Sequence, residues 1–270
     1  MIDAPVQTIT VDGLTTTGAV AAGFPQARSE SPPVLALHGW GGSIASFWPV
    51  AQQLGRYGYT THVIDLPGFG GTAFPPEPWG VPEYADFVLA YLDGQGLARV
   101  HLLGHSFGGR IGLVLGADHP NRIDRMVLAN SAGVRPPGNP VREALTRTAK
   151  AVLRLPGLSR FYEPVRRRAY EYLGTTDYLE AGPLQATFVR VIEQDLLPYA
   201  ARISRPTLLI WGDRDQDTPL WQGQQLARTI PDAGLHVFQG AGHFSYLERL
   251  PEYVRIVHHF FSQPAESGTR

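Results

Sequence analysis

A serine flanked by glycines follows an apolar run in the segment HLLGHSFGG, residues 101–109. Gly104 and Gly108 lie two residues before and two residues after Ser106, which gives the spacing G-x-S-x-G. This spacing, after a strand and before a helix, is typical of a sharp turn that exposes the serine hydroxyl above the edge of a sheet. Side chains at the two glycine positions would collide with the neighbouring strand and helix. We therefore predict that Ser106 is an acyl-transfer nucleophile; the alternative is a Ser-Gly turn that only ends a strand.

The serine needs a base, because a hydroxyl is a poor nucleophile, and the base needs an acid to orient it. His243 is the candidate base, since it lies in the loop that follows the apolar run of VFQGAGHFSYLE. His105 lies inside the serine turn and cannot reach back to the hydroxyl. His38 precedes Gly39 at a strand end and is interpreted as a residue that holds loop backbone. The other histidines have no paired context.

Three carboxylates compete for the role of the acid in the segment LLIWGDRDQDTP. Asp213 directly follows Gly212 and could only shape the turn, and Asp217 precedes Thr218-Pro219 as an N-cap or first-turn residue would. Asp215 lies between them at the tip of the loop, so we predict that it reaches the histidine. The resulting chain order is Ser, Asp, His.

Acyl transfer also requires hydrogen-bond donors for the oxyanion that develops on the substrate. The backbone N–H of Phe107, the residue after the serine, is one candidate. The backbone N–H of Trp40, in the glycine-rich segment HGWGG, is the second. Gly39 in this segment lets the backbone lie close to the substrate, and Phe244 beside the histidine offers an aromatic surface. We predict both as substrate-binding residues.

The elements that must position these residues alternate between strands and helices along the chain. Residues 6–23 contain two runs around Asp12-Gly13, VQTITVDG and LTTTGAVAAG, which predicts a hairpin. Later apolar runs that end at glycine, proline or asparagine predict strands buried on both faces, as in a parallel sheet. These runs are PPVLALHG, YTTHVIDLPGFG, ARVHLLG, RIDRMVLAN, RPTLLIWG and GLHVFQG. Helices are predicted at 81–92, 107–117, 220–229 and 251–261, so the fold class is α/β.

One segment interrupts the alternation. Residues 134–200 have little strand signal and much helical signal, so we predict a helical cap insertion there. The core domain would then comprise residues 1–133 and 201–270. The first half of the insertion is rich in arginine, which is typical of a solvated cap surface or of a site that attracts acidic substrates; both readings stay open.

The composition excludes several classes of protein. The chain has 270 residues, a formal net charge of −1 and no cysteine. A charge near zero argues against nucleic acid or an anionic membrane as the main partner, and the lack of cysteine excludes disulfides and thiolate chemistry. Neither a signal peptide nor an apolar run of the ~18 residues that a membrane helix requires is recognisable. We therefore expect a soluble, cytoplasmic protein.

The motifs together resemble those of the α/β-hydrolase superfamily, in the bacterial branch with a helical cap. The resemblance extends from about residue 8 to 261 and includes HGWGG, DLPGFG, GHSFGG, GDRD and GH at 242–243. It implies a mostly parallel, twisted sheet with helices on both faces, and a catalytic triad of Ser106, Asp215 and His243. It also implies that the loop DLPGFG, residues 65–70, lines the mouth of the pocket without acting chemically. Some relatives place the acid after the sixth strand, where this chain has the uncharged Asn130.

The resemblance implies a serine hydrolase that cleaves a small-molecule carboxylic ester and needs no metal or organic cofactor. Aromatic residues near the site either line an apolar pocket or only pack the core: Trp40, Phe47, Trp48, Phe107, Phe244 and Tyr246. Alternatives are a carbon–carbon bond hydrolase, disfavoured by the residues around the serine and after the histidine, an acyltransferase, and a ligand-binding or signalling protein with little turnover. The oligomeric state and the natural substrate stay open.

Overall fold

A computed structural model describes residues 4–24, 31–135 and 181–263. Eight strands form a single sheet in the described chain, and each of the predicted strand segments is confirmed. The strands are β1 Val6–Val11, β2 Leu14–Ala21, β3 Val34–Leu37, β4 Thr61–Ile64, β5 Val100–His105, β6 Ile123–Ala129, β7 Thr207–Gly212 and β8 Ala233–Phe238.

The strand order in the sheet is β1-β2-β4-β3-β5-β6-β7-β8. The first two strands form the predicted hairpin and pair antiparallel, with φ of 47° at Asp12 and 77° at Gly13 in the turn. The pair between β2 and β4 is also antiparallel, and every pair from β4 to β8 is parallel. The carboxyl ends of β3, β5, β7 and β8 therefore lie at one edge of the sheet.

Helices cover both faces of this sheet, as expected. One hydrophobic core contains residues of α2, α3, α4 and α6, and the other contains residues of α1, α7 and α8. The bounds of the helices are α1 Ile44–Gly55, α2 Val81–Gly94, α3 Phe107–Asp118, α4 Gln185–Glu193, α5 Leu197–Ala200, α6 Leu220–Thr229, α7 Ser245–Glu248 and α8 Leu250–Phe261. None of the helices described is both long and apolar enough to cross a membrane.

The described part of the predicted cap is helical. It includes α4 and α5, and α5 packs against α3. Phe188 and Val191 of α4 belong to the hydrophobic core, as does Leu196 between the two helices, whose N–H bonds to the carbonyl of Gly133 after β6. Residues 136–180 of the predicted insertion lie outside the described residues. The division into a core and a cap with boundaries at 134 and 200 stays a prediction.

Candidate active site

The candidate residues follow four strands of the sheet at its carboxyl edge. Gly39 and Trp40 follow β3, Ser106 follows β5, Asp215 follows β7 and His243 follows β8. In α/β sheets this edge is where ligands bind. A cavity of about 830 Å³ opens here and is lined by all of these residues except Asp215, which lies behind His243. The fold thus brings together residues that are up to 204 positions apart in the chain.

The turn at Ser106 has a strained backbone, with φ of 50° and ψ of −105°. A residue other than glycine rarely adopts this conformation, and such strain is common at functional sites. The predicted reason for the flanking glycines is confirmed. A Cβ atom at Gly104 would lie 2.8 Å from the carbonyl oxygen of Gly108, and one at Gly108 would overlap the carbonyl group of Leu37 on β3. The turn therefore fixes Ser106 at the start of α3 and at the floor of the cavity.

His243 and Asp215 form a direct hydrogen bond. The distance between His243 Nδ1 and Asp215 Oδ2 is 2.9 Å. The side chain of Asp215 is fully buried and that of His243 is 13% exposed, so the carboxylate is withdrawn from solvent while the imidazole reaches the cavity. Of the three competing carboxylates, Asp215 is thus the one that bonds to the histidine. Asp213 accepts the N–H of Gly240 and shapes the turn, and Asp217 is exposed, 4.0 Å from His243 Nδ1.

The carboxylate of Asp215 is held by four further hydrogen bonds. Oδ1 accepts the backbone N–H groups of Asp217 and Thr218, each at 2.9 Å. Oδ2 accepts the hydroxyl of Thr218 at 2.7 Å and the Asn130 amide at 2.6 Å. Burial by itself raises the pKa of Asp215, but the hydrogen bonds and charge of His243 and the bonds from Thr218 outweigh it and lower the pKa. The acid is therefore ionised at neutral pH despite its burial.

Asn130 belongs to the hydrogen-bond network of the site, which the sequence reasoning missed. It is fully buried after β6, with φ of 45°, and its amide also donates to the carbonyl of Gly242 at 3.3 Å. Its Oδ1 accepts the hydroxyl of Ser245 at 2.5 Å. Asn130 therefore joins the acid turn to the loop that carries His243. The sequence places Asn130 after the sixth strand, but a neutral side chain at that position gives no signal of its bond to the acid.

The hydroxyl of Ser106 and the ring of His243 face the same cavity. Within the described ranges no hydrogen bond joins them, and the Ser106 hydroxyl bonds to no other group there. Catalytic hydrogen bonds are often long in a ligand-free site and shorten when substrate binds. The arrangement supplies a strained serine, an imidazole and a buried carboxylate in the predicted order.

Two backbone N–H groups beside Ser106, those of Trp40 and Phe107, are the candidates for binding an oxyanion. The carbonyl oxygen of Gly39 is held by His38 Nδ1 at 2.8 Å and by the N–H of Gly42 at 3.0 Å. The N–H of Trp40 belongs to the same planar trans peptide and therefore points the opposite way from this carbonyl. Phe107 is the first residue of α3 and directly follows Ser106, so its N–H lies at the start of this helix. Neither N–H has an acceptor in the part of the chain that the structure describes.

The two other histidines near the site have structural contacts, as predicted. His38 Nε2 accepts the N–H of Leu66 at 3.0 Å, so Nδ1 carries the proton that it donates to Gly39; burial lowers the pKa of His38. His105 Nε2 donates to the backbone carbonyl of His243 at 3.0 Å. Burial, followed by the charge of His243, lowers the pKa of His105 to about 3. Both rings are neutral and fix loop backbone.

The aromatic residues divide between the cavity and the core. Trp40, Phe107 and Phe244 line the cavity, as does Gly39. Phe47 and Tyr246 are fully buried and stack on each other beneath the loops, and Trp48 is buried beside them. The cavity also has apolar residues from the cap and the loop after β6, which the sequence reasoning did not find: Ala132, Val134, Phe188, Val191 and Ile192.

The loop at residues 65–70 does not line the cavity, and the expectation that it lines the pocket mouth is wrong. Phe69 packs its ring against Trp40 at 4.9 Å and therefore lies one layer behind the lining. Asp65 accepts the N–H groups of Ile44 at 2.6 Å and Gly71 at 2.8 Å. The carboxylate thus fastens the start of α1 to this loop, and the loop supports Trp40 from outside the cavity.

Asp215, Asp217 and His243 each offer one ligand atom within 4.8 Å of the others, a grouping that could hold a metal ion. The hydrogen bonds argue against a metal here. Both oxygens of Asp215 already accept donors, and His243 Nδ1 is bonded to Asp215. The grouping is better described as the acid–base pair with an exposed neighbour.

Comparison with known proteins gives consistent matches along the chain. Residues 32–157 and 174–250 match the sequence model of a family described as alpha/beta hydrolase fold. The chain is 28% identical over 249 residues to a pimeloyl-[acyl-carrier protein] methyl ester esterase of Chromobacterium violaceum, with 87% of this chain and 96% of that protein covered. It is 27% identical over 252 residues to a 2-hydroxymuconate semialdehyde hydrolase of Pseudomonas putida, with 87% and 89% covered.

A solved structure has a similar fold. A hydrolase from Pseudomonas aeruginosa PA01 superposes with a TM-score of 0.72 at 26% identity, with 97% of this chain and 100% of that chain covered. The similarity thus extends over nearly the whole chain and includes the loops at the carboxyl edge of the sheet.

Proposed function

Because the chain belongs to the α/β-hydrolase family, as its motifs predicted, we propose that it is a serine hydrolase that cleaves small to medium apolar carboxylic esters. One observation carries the proposal: the strained Ser106 and the ring of His243 line the same cavity. Asp215 supports this ring from behind through its hydrogen bond to Nδ1. The name of the esterase relative favours an ester substrate. The apolar lining from Trp40 and Phe188 favours an apolar acyl group.

The proposed reaction proceeds through an acyl-enzyme. His243 Nε2 takes the proton of Ser106 as its Oγ attacks the ester carbonyl, and the negative oxygen is held by the N–H groups of Trp40 and Phe107. Asp215 fixes the imidazole tautomer through Nδ1 and stabilises the imidazolium. His243 then gives its proton to the departing alcohol. Water, deprotonated by His243, attacks the acyl carbon; the bond from this carbon to Ser106 Oγ then breaks, Oγ receives the proton back from His243, and the acid is released.

Labelling with a fluorophosphonate and hydrolysis of p-nitrophenyl butyrate test the proposal together. We expect stoichiometric labelling at Ser106 and a burst of p-nitrophenol. In Ser106→Ala both should be lost, with kcat lower by about 10⁴-fold or more. Ser204→Ala, which removes an exposed serine outside the cavity, is the matched control and should behave as the original protein. Unlabelled protein, or full turnover in Ser106→Ala, would overturn the proposal.

A carbon–carbon bond hydrolase is the second candidate. It is favoured by the relative named 2-hydroxymuconate semialdehyde hydrolase, and by a further relative, 26% identical over 257 residues, named 2-hydroxy-6-oxo-6-phenylhexa-2,4-dienoate hydrolase. A conjugated dienoate absorbs light more strongly than its cleavage products, so its cleavage can be followed by loss of absorbance. A kcat/KM for such a dienoate above that for every ester tested would make this the main activity.

A further inference from the structure

Two arginines line the cavity together with Ser106 and His243. Arg110 lies on α3, one turn after Ser106, and Arg135 lies in the segment after β6. Arg110 is only 8% exposed, whereas Arg135 is exposed. Burial, followed by the charge of Arg135, lowers the pKa of Arg110 to about 10, so Arg110 stays positively charged at neutral pH.

Arg110 uses one of its three nitrogens inside the protein. Nη1 donates to the carbonyl oxygens of Val191 at 2.9 Å and Gln194 at 3.1 Å. Nε and Nη2 have no acceptor among the described residues, and they are not among the fully buried polar atoms. An arginine presents five N–H donors in a planar fork that matches a carboxylate. Arg110 lines the cavity, so the unbonded part of this fork is available to a ligand there.

No described carboxylate lies within ion-pair distance of either arginine. Asp195 attracts Arg110 from a distance but is exposed and does not line the cavity. Asp217 is the acidic residue of the described lining, and it lies beside His243 with a side chain that is 72% exposed. A nearly buried cation is costly when, among the described residues, only a distant and exposed carboxylate balances its charge. The positive wall is therefore complementary to a negative group on a ligand.

We propose that this cavity accepts substrates that carry a carboxylate, which Arg110 and Arg135 bind while Ser106 attacks an ester bond elsewhere in the same molecule. This inference rests on the proposed ester hydrolysis. Charge-assisted, two-pronged bonds from arginine would fix the far end of the acyl chain, and the apolar residues of the cap would enclose its middle. The preferred substrate is then a half-ester of a dicarboxylic acid.

Matched pairs of substrates test the inference. The p-nitrophenyl half-esters of dicarboxylic acids from adipate to azelate are compared with p-nitrophenyl esters of monocarboxylic acids of equal length. We expect kcat/KM to be about 10- to 100-fold higher for the half-ester at one chain length, the fold-change typical of a hydrogen bond to a charged group. Arg135→Gln should bring this ratio towards 1. Arg228→Gln, an exposed arginine on α6, is the matched control and should leave the ratio unchanged.

Arg110 needs a milder variant, because it also holds two carbonyl groups of the cap. Arg110→Lys keeps the charge but loses the planar fork. We therefore expect the logarithm of the half-ester to neutral-ester ratio to fall by about half as much as in Arg135→Gln. Circular dichroism checks that the variant is folded. A ratio near 1 at every chain length in the original protein, with the neutral esters still hydrolysed, overturns the inference and leaves the proposed function intact.

Absence of turnover and of Ser106 labelling would instead refute the proposed function. The anion site is then measured by calorimetry with adipate in the original protein and in Arg135→Gln. Weaker binding in the variant supports the site, and equal or undetectable binding in both overturns it.

Discussion

The two sides of the cavity differ in the hydrogen bonds that hold them in place. The sheet side comprises residues 38–42, 105–107, 215–218 and 243–244, and the cap side comprises residues 134–135 and 185–194. On the sheet side, short buried side chains and backbone groups bond to one another, as in the five hydrogen bonds to Asp215. On the cap side, longer side chains reach across from another element. Arg110 holds the carbonyls of Val191 and Gln194, and Gln194 accepts the N–H of Val81 at 2.8 Å.

This difference separates chemistry from selection. Groups that transfer a proton must be placed within a few tenths of an ångström, and parallel strands with short turns provide that precision. Groups that choose a substrate need only offer a shape and a charge. Changes on the sheet side should therefore lower kcat, whereas changes on the cap side should alter KM and the choice of substrate.

Asp215→Asn should have the largest effect. The amide would hold His243 in the wrong tautomer, so we expect kcat to fall by about 10⁴-fold with little change in KM. Burst kinetics with p-nitrophenyl butyrate measure this. Asp213→Asn and Asp217→Asn are the neighbouring controls, and each should retain most of the activity. If either control loses more activity than Asp215→Asn, the assignment of Asp215 as the acid is wrong.

Asn130→Ala should have the next largest effect. It removes the 2.6 Å hydrogen bond to Asp215 and the link to Ser245. A hydrogen bond to a charged group contributes about 1.5–3 kcal/mol, so kcat should fall by about 10- to 100-fold. The acid limb of the pH profile of kcat should also move. Ser245→Ala removes only the outer bond and should lose less. The role of Asn130 would be purely structural if the pH profile did not change and the activity fell only as much as the amount of folded protein.

Phe188→Ala tests the cap side. Phe188 is buried, packs against Trp40 with ring centroids 5.0 Å apart and lines the cavity. Its loss should raise KM by about 10-fold for the best ester, in line with the burial of an aromatic side chain, and should change kcat little. Val189→Ala, on the same helix but outside the lining, is the control. A fall in kcat that exceeds the rise in KM would mean that the two sides do not separate chemistry from selection.

The last expected effect concerns stability on the sheet side. The pKa of His105 is lowered to about 3 in the folded protein, against a value near 6.5 in the unfolded chain. Below pH 6.5 the unfolded chain therefore binds a proton that the folded one does not. The free energy of unfolding should fall by about 1.4 kcal/mol for each pH unit from 6.5 towards 3 because of this ring.

Urea denaturation between pH 7 and pH 4.5 measures this slope, and His105→Gln should make it shallower. His101, whose pKa is lowered to about 4 by burial, adds a similar contribution that the variant retains. An identical slope in His105→Gln and the original protein would show that His105 does not carry the effect.

Much of the fold could be read from local patterns. The strands were predictable because parallel strands buried on both faces are short apolar runs, and the serine turn because its geometry excludes side chains at Gly104 and Gly108. The helix α1 was not predicted. Pro49 interrupts its helical pattern, and its first N–H is bonded to Asp65, 21 positions away. Contacts of that kind leave no local signal.

The sequence by itself determined the chemistry that this chain can attempt: which serine, which histidine and which carboxylates stand at strand ends. Those choices depend on residue type and spacing, which are local. The tertiary structure decided that Asp215 bonds to His243, that Asn130 joins them, that the loop at 65–70 stands behind Trp40, and that Arg110 and Arg135 share the cavity with Ser106. These outcomes depend on the packing of distant segments against one another, and only the folded chain brings those segments together.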